Sequence, residues 1–280
     1  MKAFDYLRPT SLEEAIAMRI KYGDKAVILN GGTDRVIQLR ERLIAPDYVI
    51  DIKHIPDLNE IKFSKQEGLV IGACVNMNTI GENPDVIKFY PYLAEAALSV
   101  GSKQVRNRAT CAGNIINASP LCDTGTPLYV ADAKIGMVGQ NGYREVPITE
   151  FITFVRRTVL QPDEIVTCIK VPYYEGSKGI FTKIARRKEV DLSTICGTVL
   201  KRGDEYKLAF GAVAPTPVRL KKTEELLKGK KLDEAIIEEA AALAQTEVSP
   251  ISDVRASKQY RLDVVAVIVR RSLKQMMEEG

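Results

Sequence analysis

Histidine is almost missing from this chain, and its scarcity excludes several kinds of site. Among 280 residues, only His54 is a histidine. A Ser-His-Asp triad would therefore have to use His54 itself, and a histidine-rich metal centre is impossible. We interpret His54 as a surface residue that follows a predicted strand ending at Asp51.

Cysteines are few and lie far apart in the sequence. The five are Cys74, Cys111, Cys122, Cys168 and Cys196, with no C-x-x-C pair or other close ligand spacing. A two-iron cluster normally takes about four thiolates, so we predict that this chain holds no metal. An odd number of cysteines without a signal peptide is typical of reduced thiols, which indicates a cytoplasmic protein.

Long apolar runs, strong charge and common nucleotide motifs are missing as well. No stretch approaches the ~18 apolar residues of a membrane span, so we predict none. The net charge is only +4, with basic and acidic residues interspersed, which excludes a nucleic-acid partner.

There is no G-x-G-x-x-G after the first predicted strand and no G-x-x-x-x-G-K-[ST]. A Rossmann dinucleotide fold and a P-loop are therefore not expected.

The order of predicted elements indicates an α+β protein with two domains. Residues 1–55 have the pattern of a small β-α-β unit, with a helix that starts at the capping box Ser11-Leu12-Glu13-Glu14. Further strands and helices follow, including one helix over residues 84–100 and a hairpin turn at Asn141-Gly142. After the linker candidate 173–179, three strands come first and then only helices.

We therefore predict a first domain over residues 1–175, with subdomains of about 1–55 and 56–175. The second domain is predicted over residues 176–280, because the strands of that region are followed by helices alone. With 45% hydrophobic residues, the chain has enough apolar side chains for two cores.

A glycine turn follows the first buried strand pattern. Val27, Ile28 and Leu29 form that strand, and it is followed by Asn30-Gly31-Gly32-Thr33-Asp34 and then by a helical pattern. A strand, a glycine turn and a helix start can place a phosphate at a helix N-terminus. A lone Gly-Gly is weak evidence, because most such pairs are ordinary turns.

A second stretch of small residues covers residues 109–123. It includes Thr110-Cys111-Ala112-Gly113-Asn114, and Pro120 interrupts any helix there. We predict a long loop, in which successive backbone N–H groups can form a concave site for an anion. Two such turns in one chain suit a ligand with two linked phosphates.

Five motifs, in order along the chain, resemble those of the flavoprotein subunits of molybdenum hydroxylases. Residues 29–34 are similar to the A-G-G-T-D/H-S turn of that family, and residues 110–115 to its T-I/Y-G-G-N-I segment. Residues 181–193 resemble its F-x-K…R-x-x-x-D-I-S/A strand, residues 209–217 its A-F-G-x-x-A-P-T-P strand, and residues 256–261 its A/G-S-x-x-Y/F-R helix start. The nearest resemblance is to the FAD-binding subunit of bacterial xanthine dehydrogenases and the medium subunit of carbon monoxide dehydrogenase.

The resemblance implies a fold, a cofactor and a set of residues. The fold is a two-subdomain PCMH-type FAD-binding domain, followed by a C-terminal domain of the carbon monoxide dehydrogenase flavoprotein type. That second domain is expected to hold a three-stranded antiparallel sheet and a helical bundle. The cofactor is non-covalent FAD. The residues implied for it are Val27, Ile28, Leu29, Asn30, Gly31, Gly32, Thr33, Asp34, Thr110, Cys111, Ala112, Gly113, Asn114, Asp123, Ile165 and Lys183.

Some of these residues have implied roles, each with a plain structural alternative. Lys183 would stabilise negative charge on a reduced flavin, or it is an ordinary strand lysine. Asp123 would bind a ribose or ribityl hydroxyl, or it caps the next helix. Ile165 would line the adenine side, or it is a core residue. Cys111 would pack against the cofactor as a small apolar side chain.

The sequence departs from the family pattern at a few positions. Ala112 stands where the family has glycine, which requires a negative φ. Asn30 replaces the usual alanine, Arg35 replaces an apolar residue, and Val190 is not the aromatic residue that would stack on the flavin.

The resemblance also implies a division of work between chains. We predict a xanthine-dehydrogenase-like complex in which the molybdenum cofactor and the two-iron clusters lie on partner subunits. Electrons would reach FAD on this chain and then NAD⁺. The expected assembly joins an iron–sulfur small subunit and a molybdenum large subunit, as a heterotrimer or a dimer of heterotrimers. Three alternatives remain open: a stand-alone flavin oxidoreductase, a hydroxylase acting on carbon monoxide, nicotinate, aldehydes or aromatic acyl-CoA, and a cofactor-free assembly protein.

Overall fold

The computed structural model describes residues 1–279, and the chain begins with a small parallel sheet. Its strands have the order β1-β3-β2, with β2 at an edge. The elements of this unit are β1 (Asp5–Leu7), α1 (Leu12–Tyr22), β2 (Ala26–Leu29), α2 (Arg35–Arg40) and β3 (Tyr48–Asp51). The predicted capping box forms at Ser11, whose hydroxyl accepts the N–H of Glu14 at 3.2 Å. This unit is the predicted β-α-β unit.

A second group of elements surrounds a five-stranded antiparallel sheet, whose strand order is β4-β5-β10-β6-β7. The strands of this region are β4 (Ile61–Ser64), β5 (Gly68–Gly72), β6 (Lys134–Gly139), β7 (Gly142–Pro147), β8 (Ile152–Phe154), β9 (Arg157–Thr158) and β10 (Ile165–Val171). The helices are α3 (Met77–Glu82), α4 (Pro84–Phe89), α5 (Pro91–Leu98), α6 (Lys103–Arg106), α7 (Cys111–Ile116), α8 (Gly125–Val130) and α9 (Ile148–Phe151).

The last part of the chain forms an antiparallel sheet covered by helices on one face. Its strands are β11 (Lys178–Ile184), β12 (Ile195–Arg202), β13 (Glu205–Gly211) and β14 (Val218–Arg219). Its helices are α10 (Lys221–Leu227), α11 (Glu234–Thr246) and α12 (Lys258–Glu278). The sheet has four strands in the described residues where three were predicted, because the two-residue strand β14 pairs with β13 at its edge.

Two predictions about local structure were wrong. The single helix over residues 84–100 is two helices, α4 and α5, separated at Tyr90, whose φ and ψ are −138° and 50°. Pro91 is the reason, because it lacks an N–H donor and disfavours helical geometry in the residue before it. The predicted loop over residues 109–123 contains the helix α7, which Thr110 caps by accepting the N–H of Gly113. The small hairpin β8–β9 was not predicted.

Buried residues form two clusters, and the C-terminal sheet separates them. Phe181, Cys196, Leu200 and Ala209 of that sheet belong to the first cluster, which otherwise consists of residues before 175. The second cluster joins the opposite face of the sheet to α10, α11 and α12. The sheet therefore packs against both halves of the chain, and the predicted boundary near residue 175 stays a prediction.

Within residues 1–279, none of the helices combines the length and the apolar composition that crossing a membrane requires.

Candidate functional site

The structure brings the two small-residue segments into direct contact. A Cβ atom built on Gly31 would lie 2.1 Å from the carbonyl oxygen of Arg108 and 3.2 Å from the Cα of Ala109. The carbonyl oxygen of Ala109 in turn accepts the N–H of Met77 at 2.8 Å, which holds this segment in place. Only glycine allows the approach at position 31. We call residues 30–34 and 108–114 together the backbone junction.

The first half of the backbone junction is a turn with a row of open donors. Gly32 has φ +82°, which favours glycine, and its carbonyl oxygen accepts the N–H of Val36 at 2.9 Å. In the part of the chain that the structure describes, the backbone N–H groups of residues 31–34 have no hydrogen-bond acceptor. Consecutive open N–H groups in a bend are suited to an anion.

The second half of the junction is the first turn of α7. The Thr110 hydroxyl accepts the N–H of Gly113 at 3.0 Å, and the N–H of Ala112 has no acceptor within residues 1–279. Ala112 lies in the helix with a negative φ, so alanine fits where the family has glycine. Asn114 joins α7 to the following segment, because its Oδ1 accepts the Thr124 hydroxyl at 2.7 Å.

Around the turn, sequence reasoning missed two residues. Lys53 donates from Nζ to the backbone oxygen of Asn30 at 3.2 Å and to Oδ1 of Asp51 at 2.7 Å. Burial alone would raise the pKa of Asp51, but hydrogen bonds from Lys53 and Tyr6 hold it below its ordinary value. An available signal was the pair Asp51-x-Lys53 at the end of β3, which lies beside β2 in the sheet.

A second group of polar residues lies where the C-terminal sheet meets the preceding half. Lys183 on β11 donates from Nζ to Oδ2 of Asp123 at 2.7 Å and to the backbone oxygen of Ser99 at 2.9 Å. The hydroxyl of the fully buried Ser193 donates to the other oxygen of Asp123. Burial raises the pKa of the Asp123 carboxyl, and Lys183 opposes that rise. We call Lys183, Asp123 and Ser193 the boundary cluster.

A cleft of about 710 Å³ opens beside the boundary cluster. Its walls are the segment from Leu98 to α6 and residues 183–191, and it carries more cationic than acidic side chains. Val190 lines it with φ +53°, which is unfavourable for a β-branched residue, and is 51% exposed. The Val190 carbonyl oxygen accepts a 2.6 Å hydrogen bond from the Arg187 guanidinium, which holds this conformation.

The remaining predicted residues lie at separate places. Val27, Ile28 and Leu29 lie half-buried on β2, directly before the turn. Ile165 is 2% exposed at the start of β10 and belongs to the first core cluster. His54 is exposed. Burial raises the pKa of the Cys111 thiol to about 12 and that of Cys122 further.

Side chains that could bind a metal are scattered over the fold. Within residues 1–279, no group of three or more histidine, cysteine, aspartate or glutamate side chains is arranged to hold a metal ion. The polar groups found at the two regions are backbone donors and the charged boundary cluster.

Comparison with protein-family models identifies both halves of the chain. Residues 2–174 match the FAD binding domain in molybdopterin dehydrogenase. Residues 180–276 match the CO dehydrogenase flavoprotein C-terminal domain.

Individual relatives match along almost the whole chain. The chain is 32% identical to the glyceraldehyde dehydrogenase medium chain of Sulfolobus acidocaldarius, with 98% of each chain covered. It is 31% identical to the xanthine dehydrogenase FAD-binding subunit of Escherichia coli O157:H7, with 96% of this chain and 94% of that subunit covered.

A solved structure gives the same result for the fold. A chain of carbon monoxide dehydrogenase from Hydrogenophaga pseudoflava superimposes with a TM-score of 0.90 at 31% identity, covering 96% of this chain and 95% of that one. This chain therefore belongs to the FAD-binding medium subunits of the molybdenum hydroxylase family.

Proposed function

We propose that this chain binds FAD non-covalently at the backbone junction and carries electrons from iron–sulfur clusters on a partner chain to NAD⁺. The observation that supports this most is the contact between two segments that both leave backbone N–H groups open. Gly31, Gly32, Thr33, Asp34 and Ala112 supply those groups. Each charge-assisted bond to a phosphate contributes about 1.5–3 kcal/mol, so several together suit a pyrophosphate.

The boundary cluster supports the electron-transfer part of the proposal. FAD supplies the two-electron chemistry that no side chain of this chain has. Lys183 is 14% exposed and lines the cleft, so its ammonium group can favour negative charge on the reduced ring. Asp123 and the Ser99 oxygen hold Nζ in one place, which preorganises the cation.

We propose xanthine as the substrate of the complex, with the molybdenum cofactor and the two-iron clusters on a large and a small subunit in a cytoplasmic heterotrimer or dimer of heterotrimers. The relatives carry names that refer to glyceraldehyde, xanthine, carbon monoxide and nicotinate at 29–32% identity. This similarity favours an aldehyde as the second candidate substrate, because the relative named for glyceraldehyde has 32% identity over 98% of the chain.

One experiment tests the function on the chain as it exists. The purified full chain is loaded with FAD, passed through gel filtration, and assayed with NADH and an artificial dye. We expect retained flavin and dye reduction. Xanthine, hypoxanthine, nicotinate and simple aldehydes should leave the flavin oxidised until the partner chains are added.

Two outcomes would contradict the proposal. A folded chain that retains no flavin would favour a cofactor-free assembly protein. Reduction of the flavin by an organic substrate without partners would favour a stand-alone flavin oxidoreductase.

A further inference from the structure

Arg261 is a buried arginine far from the cleft along the chain, yet its hydrogen bonds lead to the boundary cluster. It lies in the first turn of α12 and is 2% exposed. Its guanidinium donates to the backbone oxygen of Thr194 at 2.8 Å, to that of Ala212 at 2.7 Å and to Oδ1 of Asp253 at 2.8 Å. Three separate segments of the C-terminal domain therefore meet at one side chain.

Two of these segments continue to the stretch that carries Asp123. Thr194 directly follows Ser193, whose hydroxyl donates to Asp123. Ala212 donates its N–H to the backbone oxygen of Pro120 at 2.8 Å. The two segments whose backbone oxygens Arg261 binds thus both contact residues 120–123, and they adjoin the neighbouring strands β12 and β13.

The stretch 120–123 in turn fixes Lys183. Asp123 accepts the hydrogen bond from Lys183 through Oδ2, while its Oδ1 is occupied by Ser193. A shift of the Thr194 or Ala212 backbone would therefore move the carboxylate and, with it, the cation at the cleft wall. Ala212 also has φ +63°, a conformation that an L-residue holds only with support from its surroundings.

A contribution to the stability of the fold does not by itself account for a buried arginine at position 261. Its Nε atom is buried and makes no hydrogen bond within residues 1–279. Leaving a donor unsatisfied in the interior is costly, and a buried guanidinium loses its hydration as well. The planar guanidinium of arginine does, however, donate in fixed directions to two carbonyl oxygens and a carboxylate at once.

We propose that Arg261 is a positioning residue for Lys183: it fixes Thr194 and Ala212, so that Ser193 and Asp123 hold the lysine ammonium at the wall of the cleft. This inference rests on the proposed function, because the lysine is expected to act on FAD. It predicts that an alteration at Arg261 changes the flavin midpoint potential through Lys183.

The test measures the flavin midpoint potential of the full chain loaded with FAD. Arg261→Lys keeps the positive charge but loses the planar guanidinium group. Ser193→Ala removes only the hydroxyl that donates to Asp123. We expect both to shift the potential to more negative values, in the direction of Lys183→Met. The expected shift is a tenfold change in the equilibrium constant for two-electron reduction, about 30 mV. In the double variant Arg261→Lys with Lys183→Met, the shift should not exceed that of Lys183→Met alone.

Arg219 offers a matched control in the same domain. It is also buried, and its guanidinium binds Glu224, Asp132 and the backbone oxygen of Tyr129. Arg219→Lys should lower the melting temperature and leave the potential unchanged, because none of its partners touches the boundary cluster.

The outcomes separate this inference from the proposed function. If the unaltered chain holds no FAD, the proposed function fails and the positioning role fails with it. If FAD binds and Arg261→Lys lowers stability without moving the potential, Arg261 is a structural residue and only the positioning role is overturned. If Arg261→Lys does not fold, Ser193→Ala decides: an unchanged potential overturns the role.

Discussion

The backbone junction and the boundary cluster depend on opposite properties of the chain. The junction exists because Gly31 has no side chain, so that two segments approach within van der Waals distance. The boundary cluster exists because three side chains meet and satisfy one another's hydrogen bonds. We expect any atom added at Gly31 to disrupt the junction, whereas conservative substitutions can adjust the boundary cluster. We infer that the junction decides whether FAD binds and the cluster decides how it behaves once bound.

The largest expected effect on FAD binding comes from adding one methyl group to the junction. Gly31→Ala places a Cβ atom 2.1 Å from the Arg108 oxygen, so one of the two segments must move. We expect flavin affinity to fall at least tenfold, about 1.4 kcal/mol, as measured by fluorescence titration of the full chain with FAD. Gly176→Ala is the control. Because Gly176 has φ +69°, this change also strains the backbone, but the added Cβ atom would meet no other atom within 4 Å. Equal affinity in both variants would contradict the role of the junction.

The junction is the part of the candidate site that the sequence marks most directly. Glycines and small residues mark it directly, and the structure brings both predicted segments together. The short helix α7 was overlooked, although threonine is a common N-cap residue and Thr110 directly precedes the helix. The break at Tyr90 was likewise signalled by Pro91.

The boundary cluster could be predicted only in part. Lys183 and Asp123 came from a family resemblance, and nothing local shows that they pair across 60 positions of sequence. Ser193 and Arg261 stand at the ends of two family motifs, but neither was predicted as a site residue. Their contacts join residues 70 and 67 positions apart, and such pairings follow from how the sheet packs, not from any periodic pattern.

The second prediction concerns the boundary cluster and its contribution to the free energy of unfolding. Asp123→Ala removes the acceptor and leaves the Lys183 ammonium buried without its counterion. Breaking a buried pair from one side costs about 3–5 kcal/mol, so we expect a loss in that range in urea unfolding. Adding Lys183→Met to Asp123→Ala should restore much of the loss, because the unpaired charge is removed. If the double variant is no more stable than Asp123→Ala alone, the two residues do not act as a pair.

A smaller effect is expected when only the lysine charge is removed. Lys183→Met should retain FAD, since the junction is untouched, while the flavin potential falls and NAD⁺ reduction slows. The reason is that a fixed cation favours the reduced, negatively charged ring. The expected fall is on the order of 30 mV, one tenfold change for two electrons, measured by redox titration against dyes. An unchanged potential would leave Lys183 as an ordinary strand residue.

The smallest effect concerns pH and the third partner of Arg261. Burial alone would raise the pKa of Asp253, but the Arg255 N–H and the Arg261 guanidinium lower it from 3.8 to about 2. Because the folded pKa is depressed, the carboxylate stabilises the fold above pH 3.8, and this contribution is lost as the pH falls towards 2. Asp253→Asn should therefore be less stable than the unaltered chain at pH 6 and lose less stability between pH 4 and pH 2, in urea unfolding at each pH.

Gln259→Ala, in which an exposed hydrogen bond to Asp263 is lost, should leave the acid dependence of the unaltered chain in place. An acid dependence that is identical in Asp253→Asn and the unaltered chain would show that Arg261 holds this loop without help from the Asp253 charge.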